Sequence, residues 1–221
     1  METDRRAWAV ITAAQCYNKI LQMSNNMATR DFTLNDIHIG SCLYSALIHH
    51  ALATRAAPIV YSDLLALARG MHPDDAELVR AVPVGMGNKL LFVEAFCQEN
   101  EYPNLACLAV GKATGRPGPG YKGDWERDKR EVGAFDWSVV KPRLDAFVSS
   151  ARAAATPRKA RSEDDAKVLR YKHYDQHRAI YDAMSDDDRQ EVLNLLMAGV
   201  PDAASALSEV LVANAGLDAF C

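Results

Sequence analysis

Apolar residues recur at helical spacing through most of this chain, and prolines, glycines and capping residues mark where each run stops. Trp8, Ile11, Ala14, Ile20 and Leu21 share one face of a first helix that ends in the polar stretch SNNMATRD. A second helix is predicted from about Leu34 to Thr54. Ile37, Cys42, Leu43, Leu47 and Leu52 are its apolar anchors, and Thr33 with Asp36 forms its N-terminal cap. Pro58 stops helix, and IVY at 59–61 reads as a short extended piece. Ser62 is a plausible cap for SDLLALARG, which Gly70 ends. In HPDDAELVRAVP, Pro73 takes a first-turn position with acids beside it, and Pro83 terminates the run. From 86 to 100, Leu90, Val93, Phe96 and Cys97 share the apolar side of another helix.

The pattern changes after Pro103. LACLAVG at 105–111 reads as a strand, and KATG as a turn with Gly115 available for positive φ. RPGPGY then leaves in extended form. REVGAFDW at 130–137 supplies a return strand in which Phe135 and Trp137 face the core. Ser138 caps a further helix through Leu144, Phe147 and Ala151. The polar ATPRKARSEDD is the best boundary candidate. Three helices follow, opened by Ser162 with Asp165, by Ser185 and by Pro201, with Gly199 and Gly216 as stops.

The expected fold is therefore mainly α: a helical protein with a central winged-helix-like module containing a small β-hairpin, and a C-terminal three-helix unit. Its parts are an N-terminal helical segment at 1–57, the module with its following helix at 58–154, a linker at 155–162, and an acidic unit at 163–221.

Charge refines this picture. The net charge of -4 argues against a general nucleic-acid binder, but its distribution is uneven. Between 103 and 161 there are twelve Lys/Arg and six Asp/Glu, whereas 162–221 holds five and twelve. A basic centre followed by an acidic tail marks either a polyanion-binding surface or two segments that neutralise each other. No run reaches the roughly 20 apolar residues of a membrane span. The N-terminal stretch is broken by Thr12, Gln15, Asn18 and Lys19, a poor signal peptide, so a cytoplasmic protein without membrane contact is expected. The five cysteines include no CxxC pair, and Cys16, Cys42 and Cys97 read as packed thiols.

Candidate chemistry narrows by elimination. Gly111-Lys112 is followed by Ala113, with Ala106 five residues before Gly111, so no P-loop is formed. Gly115, Gly118 and Gly120 have the wrong order for a dinucleotide fingerprint, and no cofactor is expected. Asp124, Glu126, Asp128 and Glu131 offer carboxylates for a magnesium-dependent hydrolase, but three cations, Arg127, Lys129 and Arg130, interleave them, as on a solvated loop. Trp125, Phe135 and Trp137 are candidates for stacking on bases. His173 and His177 have the four-residue spacing of a metal pair, yet they lie on an apolar stripe and read as core or interface; His49-His50 is treated alike, and no metal is expected. Cys107 has no identifiable base partner. What remains is a helix–turn–helix over 62–69, 73–81 and 86–100 beside a cation-tipped hairpin. Asn88, Lys89, Lys112, Arg116 and Lys122 are the expected nucleic-acid contacts.

Three stretches, IVYSDLLALARG, LVRAVPVGMGNKLL and YPNLACLAVGKATGRPGPGY, resemble the winged-helix domain of alkyltransferase and alkyltransferase-like DNA repair proteins. Tyr61 and Leu64 match the Y and L of its V-x-Y-x-x-L-A segment, with Val60 directly before the tyrosine, and Arg80, Ala81 and Val82 match its R-A-V-G helix. The resemblance spans at most 65 residues. Ala106 occupies the nucleophile position, Cys107 falls one residue late, the family's His-Arg is missing, and Pro83 replaces a glycine. The resemblance therefore implies a DNA-binding shape and not alkyl transfer. The later combination of K-x-T-G-x-P-G-x-G-Y with FDW also resembles uncharacterised bacterial and mobile-element proteins.

The expectation is a non-enzymatic protein that binds double-stranded DNA, a regulator whose C-terminal helices serve self-association or a protein partner. A protein-interaction adaptor is the first alternative, and a metal-dependent hydrolase the second.

Overall fold

The computed structural model describes residues 32–118, 120–139, 141–155 and 158–218. The first predicted helix, Cys16 and Cys221 lie outside the described residues. Helix α1 (Leu34–Thr54) starts at the predicted capping box: Thr33 Oγ1 accepts from the Asp36 amide at 3.1 Å, and the Asp36 carboxylate accepts from the Thr33 amide at 3.1 Å. The chain turns at Arg55 and Ala56, both at positive φ, into strand β1 (Ile59–Val60).

Helix α2 begins at Tyr61, one residue before the expected cap, and runs through Gly70 to Met71. Helix α3 (Ala76–Arg80) is capped by Asp75, whose carboxylate accepts from the Leu78 amide at 2.9 Å. A tight turn at Pro83–Gly85 leads into α4 (Met86–Glu99). Helices α1 and α4 make the main packing pair around Tyr44, Phe92 and Phe96. Gly40 permits their close approach. A Cβ there would lie 2.7 Å from Phe92 Cδ1 and 2.9 Å from the Lys89 carbonyl oxygen. Gly40→Ala should therefore destabilise by about 1–2 kcal/mol despite its better helix propensity, measurable by urea denaturation.

The expected antiparallel hairpin is not formed. Leu105–Leu108 is a short 3-10 turn, and β2 (Ala109–Val110) pairs in parallel with β1, with Ile59 opposite Ala109 and Val60 opposite Val110. After it, the Gly111 amide donates to the Arg116 carbonyl at 2.9 Å and the Gly115 amide to Gly111 at 2.9 Å, closing a turn with Gly115 at φ +61°. The predicted return strand is instead covered by helix α5 (Trp125–Ala134) and a 3-10 turn at Trp137–Val139. Asp124 drives this outcome by accepting from the Arg127 amide at 3.1 Å, with Glu126 and Asp128 on the positive end of the helix dipole. Trp137 is buried and donates from Nε1 to the Val132 carbonyl at 2.9 Å, while Phe135 packs on Tyr102 and Trp137. These two rings are core-facing, as their alternation suggested, but on a helix end.

Helix α6 (Lys141–Ala154) brings Phe147 against Phe92 and Phe96. The C-terminal part consists of α7 (Glu163–Gln176), α8 (Arg178–Ala183), α9 (Asp186–Met197) and α10 (Ala203–Asp218). Ser162 and Ser185 cap α7 and α9 as predicted. The single helix expected over 166–184 is broken at His177. These helices have their own apolar cluster around Tyr181, Val192, Leu196 and Ala206, and α9 and α10 also pack on the Pro83–Gly85 turn. The described residues all belong to one unit that starts at Phe32. They are mainly helical, and none of their helices is long and apolar enough to cross a membrane.

Asp188 ties α9 to α10, accepting from the Ser185 amide at 3.0 Å and from Asn214 Nδ2 at 2.9 Å. Burial alone would raise its carboxyl, but the bonds from Asn214 and Ser185 outweigh it and hold the group below the usual range. Its folded-state pKa lies under the unfolded value of about 3.9, so its stabilisation is present above about pH 4 and lost as pH falls. Acid unfolding followed by circular dichroism should be shallower with pH in Asp188→Asn than in the wild type.

Candidate nucleic-acid interface

The five expected contact residues do not share one fate. Asn88 is exposed at the start of α4. Lys89, one residue on, is only 4% exposed, which corrects its reading as a surface contact. Its helical phase explains the difference. Lys89 precedes Phe92 by three residues and Phe96 by seven, so it falls on the inner stripe of α4. There Nζ donates to the Gly85 carbonyl at 2.6 Å and stands 3.5 Å from Glu191 Oε1 and 3.8 Å from Asp36 Oδ1. Glu191 is oriented in turn by Asn194, which also donates to the Arg80 carbonyl at 3.0 Å. The buried charge is thus compensated by two buried acids from α1 and α9.

Lys112, Arg116 and Lys122 are exposed on the segment between β2 and α5. Arg116 lies with its guanidinium carbon 5.2 Å from the centroid of Trp125, and Lys129 Nζ is 3.8 Å from the same ring. Both are cation–π distances. Trp125 Nε1 donates to the Cys107 carbonyl at 2.9 Å, fastening α5 to the 3-10 turn. The other side of the segment is fixed by Tyr61, whose hydroxyl accepts from the Gly118 amide at 2.9 Å. Tyr121 hydrogen-bonds the Asp128 carboxylate, which Arg127 also grips at 3.0–3.1 Å. Burial, with the Asp128 bond second, pushes the Tyr121 hydroxyl well above its ordinary pKa. Tyr61 is raised by burial in the same sense. Both are neutral hydroxyls at physiological pH.

Asn88 and this cation-bearing segment meet at a cleft of about 380 Å³, lined by Tyr61, Val84, Asn88, Ala106, Gly118 and Tyr121 among others. Val212 and Ala213 of α10 stand at its side. The cleft is mostly apolar, with polar groups at its wall and lysines and arginines on the adjoining segment. Sequence reasoning missed Tyr61, Tyr121 and Lys129 as parts of this site. The readable signal was the clustering of Trp and Lys/Arg at helical spacing in WERDK.

Among the described residues, the alternative chemistries are not assembled. Cys107 is fully buried, and burial followed by the Asp128 charge pushes its thiol up to about 12, so it holds no thiolate at neutral pH. Asp124 caps α5, Glu126 pairs with Lys129 at 3.1 Å, and Glu131 faces Arg127 at 3.7 Å. These carboxylates serve the helix rather than converge on one point. His173 and His177 stack with centroids 4.2 Å apart, and His173 Nδ1 contacts the Tyr181 hydroxyl at 3.1 Å. Burial, and then His177, lowers the His173 pKa.

A group that sequence reasoning did not connect lies on the other side of α1. His38 Nε2 is 2.6 Å from Asp75 Oδ2, with the Cys42 thiol beside them. The i, i+4 spacing of His38 and Cys42 was legible, but Asp75 comes from another helix. Comparison with protein-family models, curated proteins and solved structures finds no match to this chain.

Proposed function

We propose that this is a non-enzymatic DNA-binding protein in which α2, α3 and α4 act as a winged-helix-like module and the 111–122 segment stands in the place of a wing. The observation that carries the reading is the cleft where Asn88 meets a segment bearing Lys112, Arg116 and Lys122. Lysines and arginines on such a segment follow a phosphate backbone, and Asn88 offers the donor–acceptor pair that reads adenine. The cleft's volume and apolar wall suit a single base turned out of the duplex. The resemblance to alkyltransferase-like proteins supports the same direction. Ala106 in the nucleophile position and the buried Cys107 favour binding without covalent transfer.

A salt titration of duplex binding tests this. Lys112→Ala with Arg116→Ala should weaken binding across sequences and reduce the log–log salt slope by about 2. Absence of binding at low salt, or an unchanged slope, removes the proposal.

A second reading has its own observation. Ile180, Leu211 and Val212 are 41%, 41% and 70% exposed on the C-terminal helices. Such residues favour self-association or a protein partner. A monomer by sedimentation at all concentrations, with no change on Val212→Asp, would remove the self-association part.

A further inference from the structure

We propose that His38, Cys42 and Asp75 form a binding site for a zinc-class divalent cation, separate from the DNA-binding cleft. His38 Nε2, Cys42 Sγ and a carboxylate oxygen of Asp75 all lie within 4.8 Å of one another, the one such group among the described residues. The set mixes nitrogen, sulfur and oxygen, the donor types that zinc accepts in four-coordinate sites. Histidine and cysteine at i and i+4 project from the same face of α1, so the helix itself presets two ligands.

Asp75 is held ready by its other oxygen. Oδ1 accepts from the Leu78 amide at 2.9 Å, which leaves Oδ2 turned toward His38. This is the kind of outer bond that orients a ligating carboxylate. The side chains grade from exposed to buried. His38 is 34% and Asp75 16% exposed, while Cys42 is buried, so an ion enters from the His38 side and keeps a water there as fourth ligand.

The geometry requires the ligand spacings to adjust. A tetrahedral ion with bonds of about 2.0–2.3 Å holds its ligand atoms roughly 3.3–3.8 Å apart. The His38–Asp75 contact of 2.6 Å is a hydrogen bond, and it opens by under about 1 Å as the ion replaces its proton. Binding displaces the Nε2 proton and the Cys42 thiol proton, and the His38 ring carries a proton at Nδ1, kept or taken up there, so that it stays neutral. The thiolate, carboxylate and neutral imidazole then balance the dication, with no redox change. The bound ion would clamp α3 against α1 just before the turn that starts α4.

The test uses the full chain, reduced and stripped of metal, titrated with cobalt as a spectroscopic probe. One equivalent is expected to give a thiolate-to-cobalt charge-transfer band with the visible bands of a tetrahedral ion, and zinc should displace it. Cys42→Ala should abolish the charge-transfer band. His38→Gln and Asp75→Asn should each weaken cobalt binding more than about tenfold. Asp75→Asn is the control for folding, because asparagine still caps α3. The absence of any band at stoichiometric cobalt, together with no zinc retained on dialysis, overturns the site. So does a charge-transfer band that survives in Cys42→Ala, which would place the thiolate elsewhere. Duplex binding by these variants is expected to be unchanged in slope with salt, so this site and the DNA-binding reading fail independently.

Discussion

Lys89→Met is expected to destabilise the protein by about 3–5 kcal/mol, read from urea denaturation at neutral pH. Removing the ammonium leaves Asp36 and Glu191 buried without the cation that lies 3.5–3.8 Å from both. Methionine fills the space of the aliphatic stem, so lost packing contributes little and the uncompensated acids dominate. A second variant separates the causes. Lys89→Met combined with Asp36→Asn and Glu191→Gln removes all three charges while keeping their shapes, and should recover most of the loss. A change within about 1 kcal/mol for Lys89→Met alone would mean that these groups do not act as a buried charge cluster. The cluster joins α1, α4 and α9, and Asn88 sits one residue from it. Loss of the cation should therefore also loosen the start of α4 at the cleft.

Trp125→Ala should cost about 3 kcal/mol and also weaken duplex binding beyond the effect of Lys112→Ala. The ring supports Arg116 and Lys129 together, and its Nε1 bond to the Cys107 carbonyl fixes α5 against the turn before β2. Without it the 111–124 segment loses the contact that holds Arg116. Trp125→Phe keeps an aromatic face for the cations but deletes the hydrogen bond, so it should cost only about 1 kcal/mol beyond the smaller ring's lost area. Equal stability and equal binding for wild type and Trp125→Ala would show that the ring anchors neither the helix nor the segment. Denaturation and duplex titration on the same two variants distinguish a fold defect from a contact defect.

Several of these features were readable along the chain, and they share a physical character. Thr33 with Asp36, and Ser185 with Asp188, form caps within three residues, so the local sequence contains both partners of each bond. Gly115 was assignable to positive φ because a turn there favours a residue without a Cβ. Asp124 was legible too: an Asp followed by WERDKR is a helix start with acids in the first turn. The strand expected over 130–137 rested on the alternation of Phe135 and Trp137, a spacing that a helix end with an aromatic cluster also produces. The basic segment at 103–161 was also visible as composition, and it located the exposed Lys112, Arg116 and Lys122.

Partnership at long range was not legible. Lys89 faces Asp36 and Glu191, 53 residues before it and 102 after it, and neither is implied by its neighbours. The orientation of β2 against β1 is likewise absent from LACLAVG, since an isolated strand carries no mark of whether its partner runs parallel. His38 and Cys42 acquire a third potential ligand only because Asp75 caps a helix that packs beside them. Tyr61 and Gly118 meet across 57 residues to close the wall of the cleft. Helices, caps and charge segments follow from interactions spanning one or two turns, which short sequence encodes directly. The direction of Lys89, the parallel pair, the cleft at Asn88 and the His38–Cys42–Asp75 group come from packing distant segments together, where burial decides which charge turns inward and which stays in water.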